Sequence, residues 1–319
     1  MKEKELPEFN VEISHPNKSY TIEFVSDKIK TIEGISAGLP YGSTSGDWGD
    51  SRKRWSEQKG TPIGADIIYF SVYEDTFYHL DVDFPKDKIE MYMQRAYAQS
   101  EVEEYNKPLK EYENLGRNAK FAAYFKPYDS FSELVFGFAP KGMVVVWLRY
   151  GGGVQIELGR YQANVVKDDK EYEKKLFASW SMNREQVKNA SYIPDASAMQ
   201  WDNYRLRYNW IPVISSENKG FRAFRMSLNY YNGERERILK PWISNPELRG
   251  RGIAREISFF WETGKGESYK GMVFFDWSKT NEAFKKVSTD SKLELKIAED
   301  NNSFEVLLNG EKLSVDSMR

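Results

Sequence analysis

Apolar and polar residues alternate along most of this chain, which is the spacing that half-buried β-strands require. The alternation predicts strands over residues 11–16, 20–35, 134–138, 143–150, 154–161, 204–213, 221–231, 293–297, 303–308 and 312–315. Two charged stretches, 168–178 and 183–190, have the composition of short helices, and Asp168 and Asp169 favour a helix N-terminus. The pattern therefore indicates a chain made mostly of strands, with few helices.

One longer pattern occurs twice, about 190 positions apart. Residues 67–93 and 257–284 each predict a β-hairpin followed by a helix, and the blocks 136–160 and 295–319 behind them also match. The equivalent positions are Tyr78, Val82 and Phe84 in the first copy and Tyr269, Val273 and Phe275 in the second. Because an internal repeat reflects a repeated structural unit, we expect two copies of one architecture.

Each copy predicts a hairpin, a long loop, a second hairpin, a helix and three more strands. The helix is expected to begin at Pro85 in the first copy and to be capped by Ser278 in the second. The fold class is therefore β-rich α+β, with two related, mostly antiparallel sheet units, each with a packed helix, joined by a helical connector. The expected limits are 1–165 for the first unit with an insertion at 98–130, 166–200 for the connector and 201–319 for the second unit.

The composition excludes several classes of protein. Apolar residues make up 40% and charged residues 29%, as in a globular chain. A net charge of −2 provides no general basic face, so no nucleic-acid partner is expected. No apolar run approaches the ~18 residues of a membrane-spanning helix. Cysteine is absent, which excludes disulfides, thiolate metal sites and cysteine nucleophiles.

Residues 38–64 are rich in Gly, Ser, Asp and Pro and predict a long loop, and residues 241–252 occupy the same place in the second copy. The candidate binding residues combine aromatic rings with charges in these loops: Tyr41, Trp48, Asp50, Arg52, Trp55 and Trp242. Tryptophan beside aspartate and arginine is typical of sugar platforms and of protein-interaction hot spots. The alternative is that the rings fold back and cap the sheet.

Candidates for catalysis are few. Asp81 and Asp83 lie two positions apart in a predicted strand, so their side chains share one face about 7 Å apart. Such a pair is a candidate Ca²⁺ site or an acid–base pair of a hydrolase, and the alternative is an ordinary solvated face. His15 and His79 have no partner at a catalytic or metal-binding spacing. We therefore expect no catalytic residue, metal or cofactor.

The segment 137–163 resembles DUF2931, a bacterial family of unknown function. Its members commonly carry an Ala-Pro-x-Gly turn, a Val-rich strand ending in Trp, and a strand ending in Gly-Arg-Tyr/Phe-Gln-Ala. The matching residues are Ala139, Pro140, Gly142, Val144, Val145, Val146, Trp147, Gly159, Arg160, Tyr161, Gln162 and Ala163. The resemblance is best over residues 40–212, and these motif residues are structural in character rather than catalytic.

The resemblance implies an envelope protein, because members of the family are often predicted lipoproteins of Gram-negative bacteria. Some lie near genes for secreted effectors, which implies an immunity-like role. We therefore expect a non-enzymatic interaction protein with a protein partner, either periplasmic or lipid-anchored after removal of a signal segment. A carbohydrate-binding module that uses the loop aromatics, a hydrolase that uses Asp81 and Asp83, and a cytoplasmic location are the alternatives.

Overall fold

The computed structural model of the protein describes residues 6–41, 46–50, 54–89, 131–150, 154–239, 242–287 and 290–319. Strands account for 48% of the chain and helices for 15%, which confirms the β-rich α+β class. The described residues form two compact units. The first comprises the described residues up to Trp201 apart from Val154, and the second comprises Val154 and the residues from Asp202 to Arg319.

The described residues of the first unit contain nine strands and, after them, two helices and half of a third. The strands are β1 (Glu8–Ser14), β2 (Ile22–Thr31), β3 (Arg54–Lys59), β4 (Pro62–Ser71), β5 (Thr76–Asp83), β6 (Phe131–Ala139), β7 (Met143–Tyr150), β8 (Val154–Gln162) and β9 (Asn164–Val165). The helices are α1 (Lys170–Phe177), α2 (Arg184–Ser191) and α3 (Met199–Tyr204). Residues 86–89 are also helical, directly behind Pro85.

The described residues of the second unit contain ten strands, the second half of α3 and one further α-helix. The strands are β10 (Tyr208–Ser216), β11 (Arg222–Tyr230), β12 (Arg235–Leu239), β13 (Arg249–Arg251), β14 (Ala254–Glu262), β15 (Ser268–Phe274), β16 (Asp290–Ile297), β17 (Phe304–Leu308), β18 (Glu311–Lys312) and β19 (Ser317–Met318). The helix is α4 (Trp277–Lys286), and Trp242–Ser244 forms a short 3-10 turn.

Both units have the same strand order. One sheet of the first unit runs β3-β1-β6-β7-β8, and the corresponding sheet of the second runs β13-β10-β16-β17-β18. The other sheet runs β2-β4-β5-β9 in the first unit and β11-β14-β15-β19 in the second, with β12 on the other side of β11. In each unit one pair is parallel, β1 with β6 and β10 with β16. The two units are therefore related in topology as well as in sequence pattern.

Even the irregularities of the two sheets coincide. The pairing of β2 with β4 and that of β11 with β14 are each interrupted by two bulges. The bulges fall between Phe24 and Ser26 and between Lys30 and Thr31 in the first unit, and between Ala223 and Arg225 and between Asn229 and Tyr230 in the second. Because a bulge changes the local twist of a strand, matching bulges give both units the same sheet curvature.

Aromatic residues fill the space between the two sheets of each unit. In the first unit, the ring of Phe138 in β6 lies 5.5 Å from Phe24 and 5.0 Å from Tyr69 in the other sheet. In the second unit, Phe259 in β14 contacts Phe304 in β17 at 5.0 Å. Each unit is thus a β-sandwich whose core is formed by the facing sides of its two sheets.

Helices α1 and α2 pack on the outer side of the sheet that contains β4 and β5. Phe70, Phe77, Leu176 and Val187 form a buried cluster there. Arg184 links the two helices to the sheet, because its guanidinium donates to Asp75 at 2.6 Å and forms ion pairs with Asp169 and Glu173. The predicted helices at 168–178 and 183–190 are thus present, and they are packed against the first sandwich.

Helix α4 of the second unit begins earlier than its sequence suggests. The predicted cap was Ser278, but the cap is Asp276, whose carboxylate accepts the Lys279 N–H at 2.8 Å. An ionised oxygen near the positive end of the helix is a favourable cap. The predicted insertion at 98–130 lies outside the described residues, and the predicted domain limits stay predictions.

Candidate functional site

Four polar side chains lie next to one another on the outer face of the β3-β1-β6-β7-β8 sheet. They are Glu12 of β1, Glu133 of β6, Arg149 of β7 and Gln155 of β8, and we call them the charge cluster. They point away from the sandwich core, because Leu134 and its alternate neighbours in β6 face the other sheet. All four are nevertheless buried, with Glu12 fully excluded from solvent.

Arg149 joins the charge cluster. Its Nη1 donates to carboxylate oxygens of both Glu12 and Glu133, the latter at 2.5 Å, and its Nε donates to Gln155 Oε1 at 2.6 Å. Two buried carboxylates therefore share one guanidinium. Charged groups at such depth are costly unless they are paired and hydrogen-bonded, and here the pairing is provided by strands far apart in the sequence.

A loop covers the charge cluster and is bonded to it through its backbone. We call residues 46–50 the pinned loop. The carbonyl oxygen of Gly49 accepts Arg149 Nη2 at 3.0 Å and Gln155 Nε2 at 2.8 Å. The Gly49 N–H donates to Ser14 Oγ at 2.9 Å, and Asp50 lies with a carboxylate oxygen 3.9 Å from Arg149 Nη2. Gly49 has a φ of +82°, a conformation that favours glycine.

Trp48 of the pinned loop is buried, with 8% of its surface exposed. Its ring lies 5.2 Å from Trp147 and 6.2 Å from Trp201. Gly137 makes this packing possible, since a Cβ at that position would lie 2.6 Å from Trp147 and 2.7 Å from Trp48. Trp48 therefore anchors the loop to the sheet, as in the alternative that the rings cap it, rather than presenting a ring to a ligand.

The start of the long loop is fixed separately. Asp27 accepts the Leu39 N–H at 2.9 Å and the Tyr41 hydroxyl at 3.2 Å, and the Gly38 N–H donates to Gln58 Oε1 at 3.0 Å. Tyr41 is 50% exposed, in contrast to Trp48. Of the predicted binding residues in this loop, the structure places Tyr41 at the surface, and it leaves Asp50 partly exposed with 28% of its side chain accessible.

The other predicted binding residues cannot be placed. Arg52 lies outside the described residues, and the side chains of Trp55 and Trp242 are also outside them, although their backbones belong to β3 and to the 3-10 turn.

Asp81 and Asp83 do share one face of β5, as their spacing predicts. Lys30 lies between them, with its Nζ 2.6 Å from Asp81 and 3.1 Å from Asp83. The hydrogen bond from Lys30 lowers the pKa of Asp81. Both carboxylates are exposed on the surface of a sheet, which is the ordinary solvated face rather than a cleft. Within the described ranges, no group of three acidic or histidine side chains is placed to hold a metal ion.

A different group of charged side chains lies in the second unit, at the base of its shorter loop. Arg251 donates to both carboxylate oxygens of Glu236, at 2.9 and 3.0 Å, and Arg249 and the Tyr230 hydroxyl contact the same carboxylate at 2.8 and 2.6 Å. Burial acts to raise the pKa of Glu236, but these donors outweigh burial and lower it to about 2. This arrangement keeps Glu236 ionised and serves to hold the loop.

The residues that hold the pinned loop were not predicted as site residues. Glu12, Glu133 and Arg149 occupy polar positions of alternating strands, where they resemble solvent-facing side chains. A signal was present in β7, where Val145 and Trp147 make the neighbouring positions apolar on both faces and Arg149 follows them. A charged residue that follows apolar positions on both faces of a strand is a candidate for a buried charge.

Helices in the described part of the chain lack the combination of length and hydrophobicity that a membrane-spanning segment needs. Comparison with known proteins gave one family, described as "Protein of unknown function (DUF2931)", whose model matches residues 2–202. Searches of curated proteins and of solved structures each gave no significant match. The match ends next to Trp201, where the first unit ends, and it confirms the resemblance seen at 137–163. The chain therefore belongs to the DUF2931 family.

Proposed function

We propose that this protein is a non-enzymatic interaction protein that binds a protein partner through the long loop of its first unit. The observation that carries the proposal is the attachment of the pinned loop to a buried charge cluster. Loops that are fixed before binding lose little conformational entropy when a partner arrives, which favours recognition. Binding residues also occur disproportionately on loops held by a rigid scaffold.

The described residues favour a protein partner over the two alternatives. A glycan platform needs exposed rings, and of the two described loop aromatics Trp48 is buried, so Tyr41 alone remains available. A hydrolase that uses Asp81 and Asp83 would need them in a secluded site, whereas Lys30 pairs with both of them on an open sheet face.

The test compares two tyrosines of equal exposure. Tyr41 and Tyr192 are each 50% exposed. Tyr192 lies outside the loop, directly after α2. Once a partner has been isolated with the wild-type chain, Tyr41→Ala should weaken its binding by about tenfold or more, and Tyr192→Ala should leave it unchanged. Equal effects of the two variants, or turnover of a substrate by the purified chain, would contradict the proposal.

We propose further that the protein works in the bacterial envelope, with an immunity-like role against a secreted effector. The support is the implication of the family resemblance given above. Cell fractionation of the natural gene product tests the location, and recovery in the cytosolic fraction alone would contradict it. Survival of cells that produce the neighbouring gene's effector, with and without this chain, tests the role.

A further inference from the structure

Arg149 has two tasks that the geometry allows to be separated. Its Nη1 donates to the carboxylates of Glu12 and Glu133, whereas its Nη2 donates to the carbonyl oxygen of Gly49 at 3.0 Å. The first task concerns the sheet alone. The second joins the sheet to the pinned loop, because Gly49 belongs to no strand.

Arg149 also orients the second donor to that carbonyl. Its Nε bonds Gln155 Oε1 at 2.6 Å, which leaves Gln155 Nε2 pointing to Gly49 O at 2.8 Å. Both side-chain donors to Gly49 O therefore depend on the position of one guanidinium. A planar guanidinium fixes several acceptors at once, which a lysine ammonium cannot do in the same geometry.

The topologically equivalent face of the second unit shows that this sandwich does not require such a cluster. The hairpin pairs Leu134 with Leu148 in the first unit and Leu293 with Leu308 in the second, so Lys292 occupies the place of Glu133. Lys292 is partly exposed and pairs with Glu294 at 2.7 Å, on the same strand.

We propose that Arg149 is the positioning residue of the pinned loop, and that its guanidinium holds residues 46–50 in one conformation while the sandwich beneath folds without it. This role of Arg149 rests on the proposed function, because the loop that Arg149 positions belongs to the proposed binding loop. Removal of the guanidinium together with its two carboxylates frees the loop, and the strands keep their core.

The experiment is hydrogen exchange of the full chain, measured by NMR or mass spectrometry without any partner. Arg149→Met alone would remove the guanidinium bound to two buried carboxylates and is expected to destabilise the whole unit, so the informative variant is Glu12→Met/Glu133→Met/Arg149→Met. Replacement of a whole buried ion group by apolar side chains of similar size commonly preserves folding. A milder variant, Ser14→Ala, removes the acceptor of the Gly49 N–H without touching a charge.

In the triple variant, the amides of Gly49 and Asp50 should exchange about tenfold faster or more, and those of Val145 and Val146 in β7 should be unchanged. Ser14→Ala should accelerate Gly49 alone. Unchanged loop exchange in the triple variant would overturn the proposal, whatever Ser14→Ala does, and so would equal acceleration of loop and β7 amides. Arg149→Lys should give intermediate loop exchange. Because no partner is present, these outcomes are independent of whether the loop binds one; a loop that responds as expected but binds nothing would defeat the proposed function alone.

Discussion

The outer faces of the two equivalent sheets hold charged residues in opposite ways. In the first unit, Arg149 and Glu133 are about 95% buried beneath the pinned loop. In the second, Lys292 leaves 46% of its side chain exposed beside Glu294, and nothing described covers it. The same backbone topology thus holds a buried ion group in one unit and, in the other, an ion pair whose lysine is half-exposed. This difference agrees with the role proposed for Arg149, in which the buried group positions the loop above it rather than the sheet.

The largest effect is expected where one buried charge is removed alone. Arg149→Met should destabilise the first unit by about 3–5 kcal/mol, because it removes a buried guanidinium that donates to the buried carboxylates of Glu12 and Glu133. Lys292→Met should cost about 1 kcal/mol, because Lys292 is half-exposed and Ser215 Oγ still donates to Glu294 at 2.7 Å. Chemical denaturation of the full chain measures both. Similar losses of stability in the two variants would contradict the difference in burial between the two charge groups.

Acid should destabilise the first unit at a higher pH than the second. His15 follows Ser14, the residue that accepts from the pinned loop, and its own burial lowers its pKa to about 4 from 6.5. The unfolded chain therefore takes up the proton first, so the stability of the first unit is complete above pH 6.5 and falls by about 3 kcal/mol as the pH drops towards 4. The free energy of unfolding at pH 7 and at pH 5 checks this, and His15→Leu should flatten the dependence.

The second unit should respond to acid at lower pH. The pKa of Glu236 is about 2 in the folded chain against 4.5 as its ordinary value. Its contribution, about 3 kcal/mol, is complete above pH 4.5 and is lost as the pH falls through 2. Glu236→Gln should remove this dependence and leave that of His15 intact. Loss of both units in one transition between pH 6.5 and 4.5 would contradict the assignment.

A smaller effect is expected at the helical cover of the first unit. Arg184→Met removes the bonds to Asp75, Asp169 and Glu173 and should cost about 2 kcal/mol, because these contacts are only partly shielded from water. Hydrogen exchange should rise in α1 and α2 before it rises in β4. Among the described residues of the second unit no helix lies at this place, and Glu262 stands where the first unit has Phe70, so its sheet should be unaffected.

The smallest effect concerns the exposed carboxylates. Asp81→Asn and Asp83→Asn should not measurably change the denaturation midpoint, because both groups are solvated beside Lys30. The second unit already carries Met272 and Phe274 at these positions. A clear loss of stability or of partner binding in Asp81→Asn would show that this face has a role beyond solvation.

The fold was accessible from the sequence because its signals are local. Alternation located most strands, but it missed β3, which lies inside the predicted loop 38–64, and it began β10 at Tyr204, which ends α3. The matched spacing of Tyr78 and Tyr269 indicated two related units. The charge cluster was not accessible, because Glu12 and Arg149 are 137 positions apart and only the parallel pairing of β1 with β6 brings them together. For Trp48 the sequence left two positions open, a binding surface or a ring folded back on the sheet, and the space above Gly137 decides between them.

Paired double-mutant cycles measure whether the ion pair of the first unit is coupled more strongly than the ion pair at the equivalent place of the second unit. One cycle combines Arg149→Met with Glu133→Met, and the other combines Lys292→Met with Glu294→Met, each followed by the free energy of unfolding of the full chain. A coupling of several kcal/mol is expected for the buried pair and no more than about 1 kcal/mol for the exposed pair. Equal couplings in the two cycles would contradict a charge group that is buried in one unit and solvated in the other.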